Sequence, residues 1–461
     1  MLVKVVFSSG KSESEVYRWK KMKSAKAKIQ RGASSSIEIQ HQCTHVVNEI
    51  QETLQNLELP VSLECCIYRV PPYLRKLKEE HYTPQVISIG PFHHGNAELR
   101  TMEQRKLRYL KYFIQRVEVF EISLEDLVRT IKECEESVRC CYAETIRLSS
   151  DHFVKIMIVD AIFILELFWR DYFNDWTSED NGACIETWLM NAIRFDLILL
   201  ENQLPFFILE RLFHDAFASH PSYSRSLIEV MTFNYFDYYN TQGISYSPHL
   251  KMKHFLDLLR TFWLPPSEKL PKRGNDVVKH LHSATELYEA GLVFKKGSSS
   301  CLFDINFTKG ALKMPPLTLD NSSETIIRNL LALEQCHYFD KAYITDYFIL
   351  LGFLIKTNKD VNLLVRKGVM LNLLGNSDET RHLVNSVIDN VIYADMNSDY
   401  YRVCKELKAF YRKSIFPWHS WLEALQHDYF SSPCKVAWTI TVIIFLVLTF
   451  LQTIYTMFPK K

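Results

Sequence analysis

Apolar residues recur at steps of three and four along most of this chain. In SLEDLVRTIKECEESVRCC, Ser123 and Asp126 stand as a capping pair, and Leu124, Leu127, Val128, Ile131, Cys134, Val138 and Cys141 form one stripe. An amphipathic helix is predicted, with Cys134 and Cys141 packed on its apolar side. The stretch VKIMIVDAIFILELFW, residues 154–169, is apolar all round except at Asp160 and Glu166, as a central helix of a large helical domain would be. A second apolar run, DLILLENQLPFFILERLF from Asp196 to Phe213, is expected to be helical too, with Pro205 marking a kink or a break between two helices. YFILLGFLI, residues 347–355, is too short to span a bilayer and suits a buried helix.

The period changes once. Phe303, Ile305 and Phe307 alternate with Asp304, Asn306 and Thr308, and Lys309-Gly310 is a turn from which Leu312 and Met314 return. A small hairpin is predicted there, followed by a helix capped by Asn321 and Glu324. The most apolar segment comes last: 23 residues, 436–458, contain no Asp, Glu, Lys or Arg. As a helix they would rise about 35 Å, against about 30 Å of hydrocarbon, so a transmembrane helix is expected. Its anchoring side chains would be Val436, Trp438, Ile443, Phe445, Leu448, Phe450, Tyr455 and Phe458, with lipid as a partner and Cys434 beside it as an acylation site. Phe416, Trp418, Trp421, Tyr429 and Phe430 make the preceding segment strongly aromatic, suited to the headgroup layer or to an ordinary amphipathic helix.

The expected organisation is therefore mainly α: a basic arm over 1–46, a multi-helix domain over 47–415 carrying the hairpin insertion, an aromatic juxtamembrane segment over 416–435, and a C-terminal transmembrane helix over 436–458. The opening MLVKVVFSSG is too short in apolar residues for a secretory signal. A span emerging last from the ribosome then implies a single-pass tail anchor with the bulk in the cytosol. The sequons at Asn306 and Asn321 offer the opposite sidedness, which attached sugar would reveal.

Composition narrows the function classes. Lys+Arg 54 against Asp+Glu 53 leaves a net charge of +1, without the global field that nucleic acid requires. Seven basic residues without an acid between Tyr17 and Arg31 suit a solvated arm or attraction to an anionic membrane leaflet. The eleven cysteines are odd in number and irregularly spaced, which suits free thiols better than a secreted disulfide framework. No G-x-S-x-G, H-E-x-x-H or G-x-G-x-x-G occurs, so no catalytic residue is assigned. Glu38-x-x-His41 and Glu334-x-x-His337, with Glu166 and Glu201, make an incomplete carboxylate-metal pattern, and HQCTH at 41–45 has no second cluster. No metal or cofactor is expected. Asp160, Glu166, Asp196 and Glu201 lie in apolar surroundings where a carboxyl could be tuned for acid or base work, or paired with arginines such as Arg170, Arg194 or Arg211.

In IGPFHHG, Gly90 and Gly95 permit tight turns, Pro91 forbids a helix, and the adjacent His93 and His94 are expected to point apart, each to a local partner. Gly90, Pro91, Phe92, His93, His94, Gly95, Asp160, Glu166, Glu201 and Pro205 are the candidate motif positions. IYRVPPYLRKL and YTPQVISIGPFHHG, with MIVDAIFILELF, DLILLENQLPFFILERLF, SATELYEAGLVFKKG, LALEQCH and the terminal apolar segment, closely resemble the plant family called domain of unknown function 247, from about Val47 onward. The resemblance implies a mostly helical body, a C-terminal membrane segment and no established enzymatic activity, and some grass relatives are linked to pollen-side self-incompatibility. The expected function is membrane-tethered recognition or scaffolding with a protein partner and no nucleic acid. The alternative is a membrane-associated enzyme, hydrolytic or metal-dependent, using the buried carboxylates.

Overall fold

The computed structural model describes residues 18, 43–52, 54, 62–176, 186–218, 223, 226–274, 276–393, 395–429 and 433–457. Side chains are described over the same residues except 415–429, 433–439 and 454–457. The chain divides into two compact units, residues 1–61 and 62–461. In the first, residues 43–52 are helical and exposed, while most of the basic stretch from Tyr17 to Arg31, and Glu38 and His41, lie outside the described residues.

The second unit is mainly helical and is organised around α3 (Ser150–Phe173), which follows α1 (Arg100–Glu118) and α2 (Leu124–Cys140). Every residue of α3 from Ile156 to Arg170 is buried, as its all-round apolar pattern predicted. It packs against α1 and α2 and, beyond α4 (Thr187–Asp196), against α5 (Phe206–Phe217) and α6 (Leu227–Tyr235). The left-handed Asn174, at φ 52°, ends it. Helix α2 begins with the expected Ser123 and Asp126 capping box. Phe168 meets Tyr235, Phe236 and Phe255, so the aromatic core continues into α7 (Phe255–Trp263).

Farther along the chain, α8 (Ala284–Glu289) leads into β1 (Val293–Lys296), β2 (Asn306–Thr308) and β3 (Ala311–Met314). The expected hairpin is β2 and β3, paired antiparallel, with Lys309 at φ 50° and Gly310 at φ 75° in the turn. The sheet is larger than the alternation suggested. β1 adds to β3 in parallel, and in a separate two-stranded sheet β4 (Leu317–Leu319) pairs in parallel with the distant β5 (Met370–Asn372). Between those last two strands lie α9 (Ser323–Cys336), α10 (Tyr343–Leu354) and α11 (Asn358–Arg366). The cap of α9 differs from expectation: its start is organised by Asp320, whose carboxylate accepts from the Ser322 N–H and from both the Ser322 and Ser323 hydroxyls. Helices α12 (Ser377–Ser386), α13 (Ser398–Tyr429) and α14 (Pro433–Met457) complete the chain.

Two further expectations fail. Residues 197–205 are not helical, for a reason that belongs to the site below. Among the described residues, moreover, no helix is long and apolar enough to cross a membrane, which overturns the transmembrane helix expected over 436–458. The side chains described in α14 run from 440 to 453. Ile443, Phe445, Leu448 and Phe450 are exposed on it. The side chains of Cys434, Val436, Trp438 and Tyr455, those of the aromatic segment before them, and the whole of Phe458 lie outside the described residues.

Candidate functional site

The segment from Gln85 to Gly90 enters the interior at Ile87 without a partner strand, so its backbone groups need other partners. Side chains supply them. The Asp196 carboxylate, at the end of α4, accepts from the N–H groups of Gln85, Val86 and Ile87 at 2.7–3.1 Å. Asn202 accepts from the Ile89 N–H at 2.7 Å and donates to the Ile87 carbonyl at 3.0 Å. Asp160, from the middle of α3, accepts from the Gly90 N–H at 2.8 Å, while the buried Lys106 ammonium donates to Asp160 at 2.5 Å and to the Ser88 carbonyl at 2.9 Å. Gly90 has φ +75°, and a Cβ there would lie 2.7 Å from the Gln203 carbonyl oxygen. Glycine is required at that point.

The same geometry explains why 197–205 is not a helix. Asn202 donates to the Asp196 carbonyl, and Gln203 donates to the carbonyls of Leu197 and Leu199 at 2.6 and 2.7 Å. These amides replace the helical ladder in a buried turn, and Pro205 then precedes α5, breaking the run as expected. Gln203 also accepts from the Phe255 N–H at 3.0 Å.

Glu201 is the charged centre at the outer end of this assembly. It is 1% exposed and accepts from the Val70 N–H at 2.8 Å; Arg75 lies 2.9 Å from it, His93 3.2 Å and Arg69 3.5 Å. Burial alone would raise its pKa, but the His93 contact, the Val70 N–H and Arg75 reverse this and hold the carboxyl below its usual range. Arg69 reaches the surface, lying 4.4 Å over the Phe92 ring and pairing with Glu144 at 2.9 Å. His94 points away from His93, as expected, and meets His152 at 3.4 Å. Burial pushes both Asp160 and Asp196 up to about 6, with Lys106 opposing the rise at the first and the backbone N–H groups at the second.

Glu166 belongs to a separate network. Arg116 grips it with two nitrogens at 3.1 and 3.0 Å, and Arg170 donates to it at 2.7 Å, so the i,i+4 pair expected on α3 is present. Arg194 and Arg211 are not the partners of these acids: Arg211 pairs with Asp215, and Arg194 lies over the Tyr235 ring. In LALEQCH, Glu334 receives Arg260, the N–H groups of Ile344 and Thr345 and the Thr345 hydroxyl. His337 meets the Tyr68 hydroxyl at 2.9 Å and Lys253 at 2.7 Å, and burial with that ammonium lowers its pKa to about 4. Among the described residues no group of three or more His, Cys, Asp or Glu could hold a metal ion.

The side chains that sequence reasoning missed are mostly the cations, Arg69, Arg75, Lys106 and Arg116, and the amides Asn202 and Gln203. The amides did carry a signal, since ENQ is a polar triplet inside an otherwise apolar run. Chemically, the assembly fixes a loop and leaves Arg69, paired with Glu144, partly exposed beside the buried Glu201 carboxylate. Two clefts lie elsewhere. One of about 410 Å³ is lined by Pro266, Lys269, Phe303, Asp304, Tyr343 and Tyr400, and one of about 380 Å³ by Arg194, Tyr238, Tyr239, Asp320 and Asn321. Asp160, Glu166, Asp196 and Glu201 line neither.

The sequence is similar to two proteins of Arabidopsis thaliana. UPF0481 protein At3g47200 is 28% identical over 429 residues, covering 87% of this chain and 88% of the relative. Putative UPF0481 protein At3g02645 is 23% identical over 422 residues, covering 70% and 78%. No solved structure matches the chain. The plant family DUF247, described as plant protein of unknown function, matches residues 67–448, a range that holds every residue of the clamp around Gln85–Gly90 and Glu201. The chain belongs to that family.

Proposed function

We propose that this protein is a non-enzymatic recognition or scaffold protein, whose helical body holds the loop at 89–95 rigidly toward a protein partner. One observation carries the reading: the buried acids suited to catalysis are engaged in holding the fold. Asp160 and Asp196 hold backbone N–H groups, Glu166 holds two arginines, and Glu201 holds Arg69, Arg75 and His93. A general acid or base needs a proton path to substrate in a cleft, and neither cleft reaches these groups. The enzyme alternative would require Glu166 and Glu201 to converge, yet they sit in networks that share no cation. Self-incompatibility recognition is the biological setting that the family resemblance suggests for such a platform.

The test is affinity purification of the full chain from plant tissue, in parallel with Arg69→Ala and His94→Ala variants. A defined protein recovered with the wild type and lost with the rim variants is the expected result. Hydrolytic turnover that vanishes in a folded Glu166→Gln or Glu201→Gln protein would overturn the reading in favour of catalysis.

A further inference from the structure

The nine described cysteines are all free thiols, but two of them are neighbours across the chain. The N–H groups of Cys66 and Ile67 both donate to the Cys141 carbonyl, at 2.9 and 3.0 Å, and the Ala143 N–H returns to the Ile67 carbonyl at 2.9 Å. Ile67 and Tyr142 form a parallel bridge, which sets Cys66 beside Cys141 at the end of α2. Residues joined by a direct backbone hydrogen bond hold their Cα atoms on the order of 5–6 Å apart, inside the span of about 4.4–6.8 Å that a disulfide closes. The Cys141 thiol donates to the Ser137 carbonyl at 3.3 Å, and the Cys66 thiol beside it shifts its titration.

We propose that Cys66 and Cys141 are a redox pair that a hydroperoxide converts into a disulfide, tying the segment bearing Arg69 and Val70 to the end of α2. Cys141 is the attacking sulfur: the neighbouring Cys66 thiol lowers its pKa against the opposing effect of burial, while Cys66 itself is raised. Burial raises the neighbouring thiols, Cys65 in direction and Cys336 to about 12, which leaves them the poorer nucleophiles. The Cys141 thiol releases its proton and attacks one peroxide oxygen as the thiolate, the O–O bond breaks, and the departing hydroxide combines with that released proton to leave as water. The sulfenic acid on Cys141 is then attacked by the Cys66 sulfur; the S–S bond forms, the S–O bond breaks, and the Cys66 proton leaves with the hydroxide as a second water. Two thiols and one hydrogen peroxide thus become one disulfide and two waters.

Burial sets the access rule. Cys66 and Cys141 are 3% and 4% exposed, so a small peroxide is the fitting oxidant and a bulky disulfide is not. The consequence falls on the Glu201 assembly, because Arg69 and Val70 follow Cys66 closely and the Tyr142 hydroxyl donates to the Gln203 carbonyl at 3.1 Å.

The experiment uses the reduced full chain treated with hydrogen peroxide, then unfolded, alkylated, digested without reductant and analysed by mass spectrometry. The expected product is a Cys66–Cys141 peptide pair lighter by two hydrogens and released by dithiothreitol. The unfolding midpoint of the oxidised protein should rise by about 5 °C, as for closure of a long loop. Cys66→Ser should abolish the cross-link and leave a dimedone adduct on Cys141. Recovery of both cysteines fully alkylated from the oxidised wild type, or cross-links distributed as in the unfolded chain, would overturn the proposal, and neither result depends on a variant folding.

Discussion

Gly90 is the residue on which the motif loop turns, and its replacement is the sharpest local test. Alanine there would face both a left-handed φ of +75° and a Cβ 2.7 Å from the Gln203 carbonyl oxygen. Gly90→Ala should cost about 2–4 kcal/mol, read as a fall in the urea midpoint at constant slope. Glu201 makes the complementary prediction. Removing its charge leaves Arg75 and His93 facing a buried site without an anion, so Glu201→Ala should cost about 3–5 kcal/mol. Asp346 predicts a pH dependence. It is buried against Arg273 and Asn397, and burial raises it to about 7, with Arg273 opposing. A carboxyl whose folded pKa exceeds its unfolded value near 3.9 stabilises fully below that lower value and loses the contribution as pH rises through 7. Wild type should therefore gain stability over Asp346→Asn as pH falls from 7 to 4, by up to about 3 kcal/mol in denaturant titrations. A gap that stays constant over that range would mean that Asp346 does not titrate there.

At the scale of elements, what repeats was legible and what happens once was not. The stripe on α2, the all-apolar α3 and the turn at Lys309-Gly310 each repeat a local rule over several residues, and the structure realises them. The parallel partners β1 and β5 were invisible because a parallel pairing joins segments far apart in sequence and leaves no turn signal between them. The run at 197–205 misled for a different reason. Its apolar content is that of a buried helix, but Asn202 and Gln203 take over the backbone hydrogen bonds that a helix would have made. Of the site, the acids were visible in sequence as charges in apolar surroundings, whereas their cations came from distant segments, as Lys106 does for Asp160 and Arg116 for Glu166. The apolar ending made the reverse error, since an uncharged sequence suggested a span that no described helix provides. If the amides do hold the 197–205 turn, Asn202→Ala should cost about 2–4 kcal/mol, because it orphans the Ile89 N–H and the carbonyls of Ile87 and Asp196. Phe207→Ala, at a half-exposed neighbouring position, should cost less than about 2 kcal/mol in the same titration.

For the whole molecule, the distribution of the core separates what holds the fold from what accompanies it. Among the described residues the continuous apolar core begins at Cys66 and runs to Leu407, all within the unit 62–461, and those described in the unit 1–61 are exposed. Hydrophobic burial dominates folding free energy, and a segment that contributes none to the core contributes little to the midpoint. The long-range clamps fall inside the same boundary, since Val70 with Glu201, Gln85 with Asp196 and Arg260 with Glu334 all join residues of the second unit. A chain beginning at Ser62 should therefore unfold cooperatively within about 2 °C of the full-length midpoint by calorimetry. A fall of about 10 °C or more would show that the first unit stabilises the second, and the helical body could then no longer be treated as the self-sufficient platform on which recognition depends.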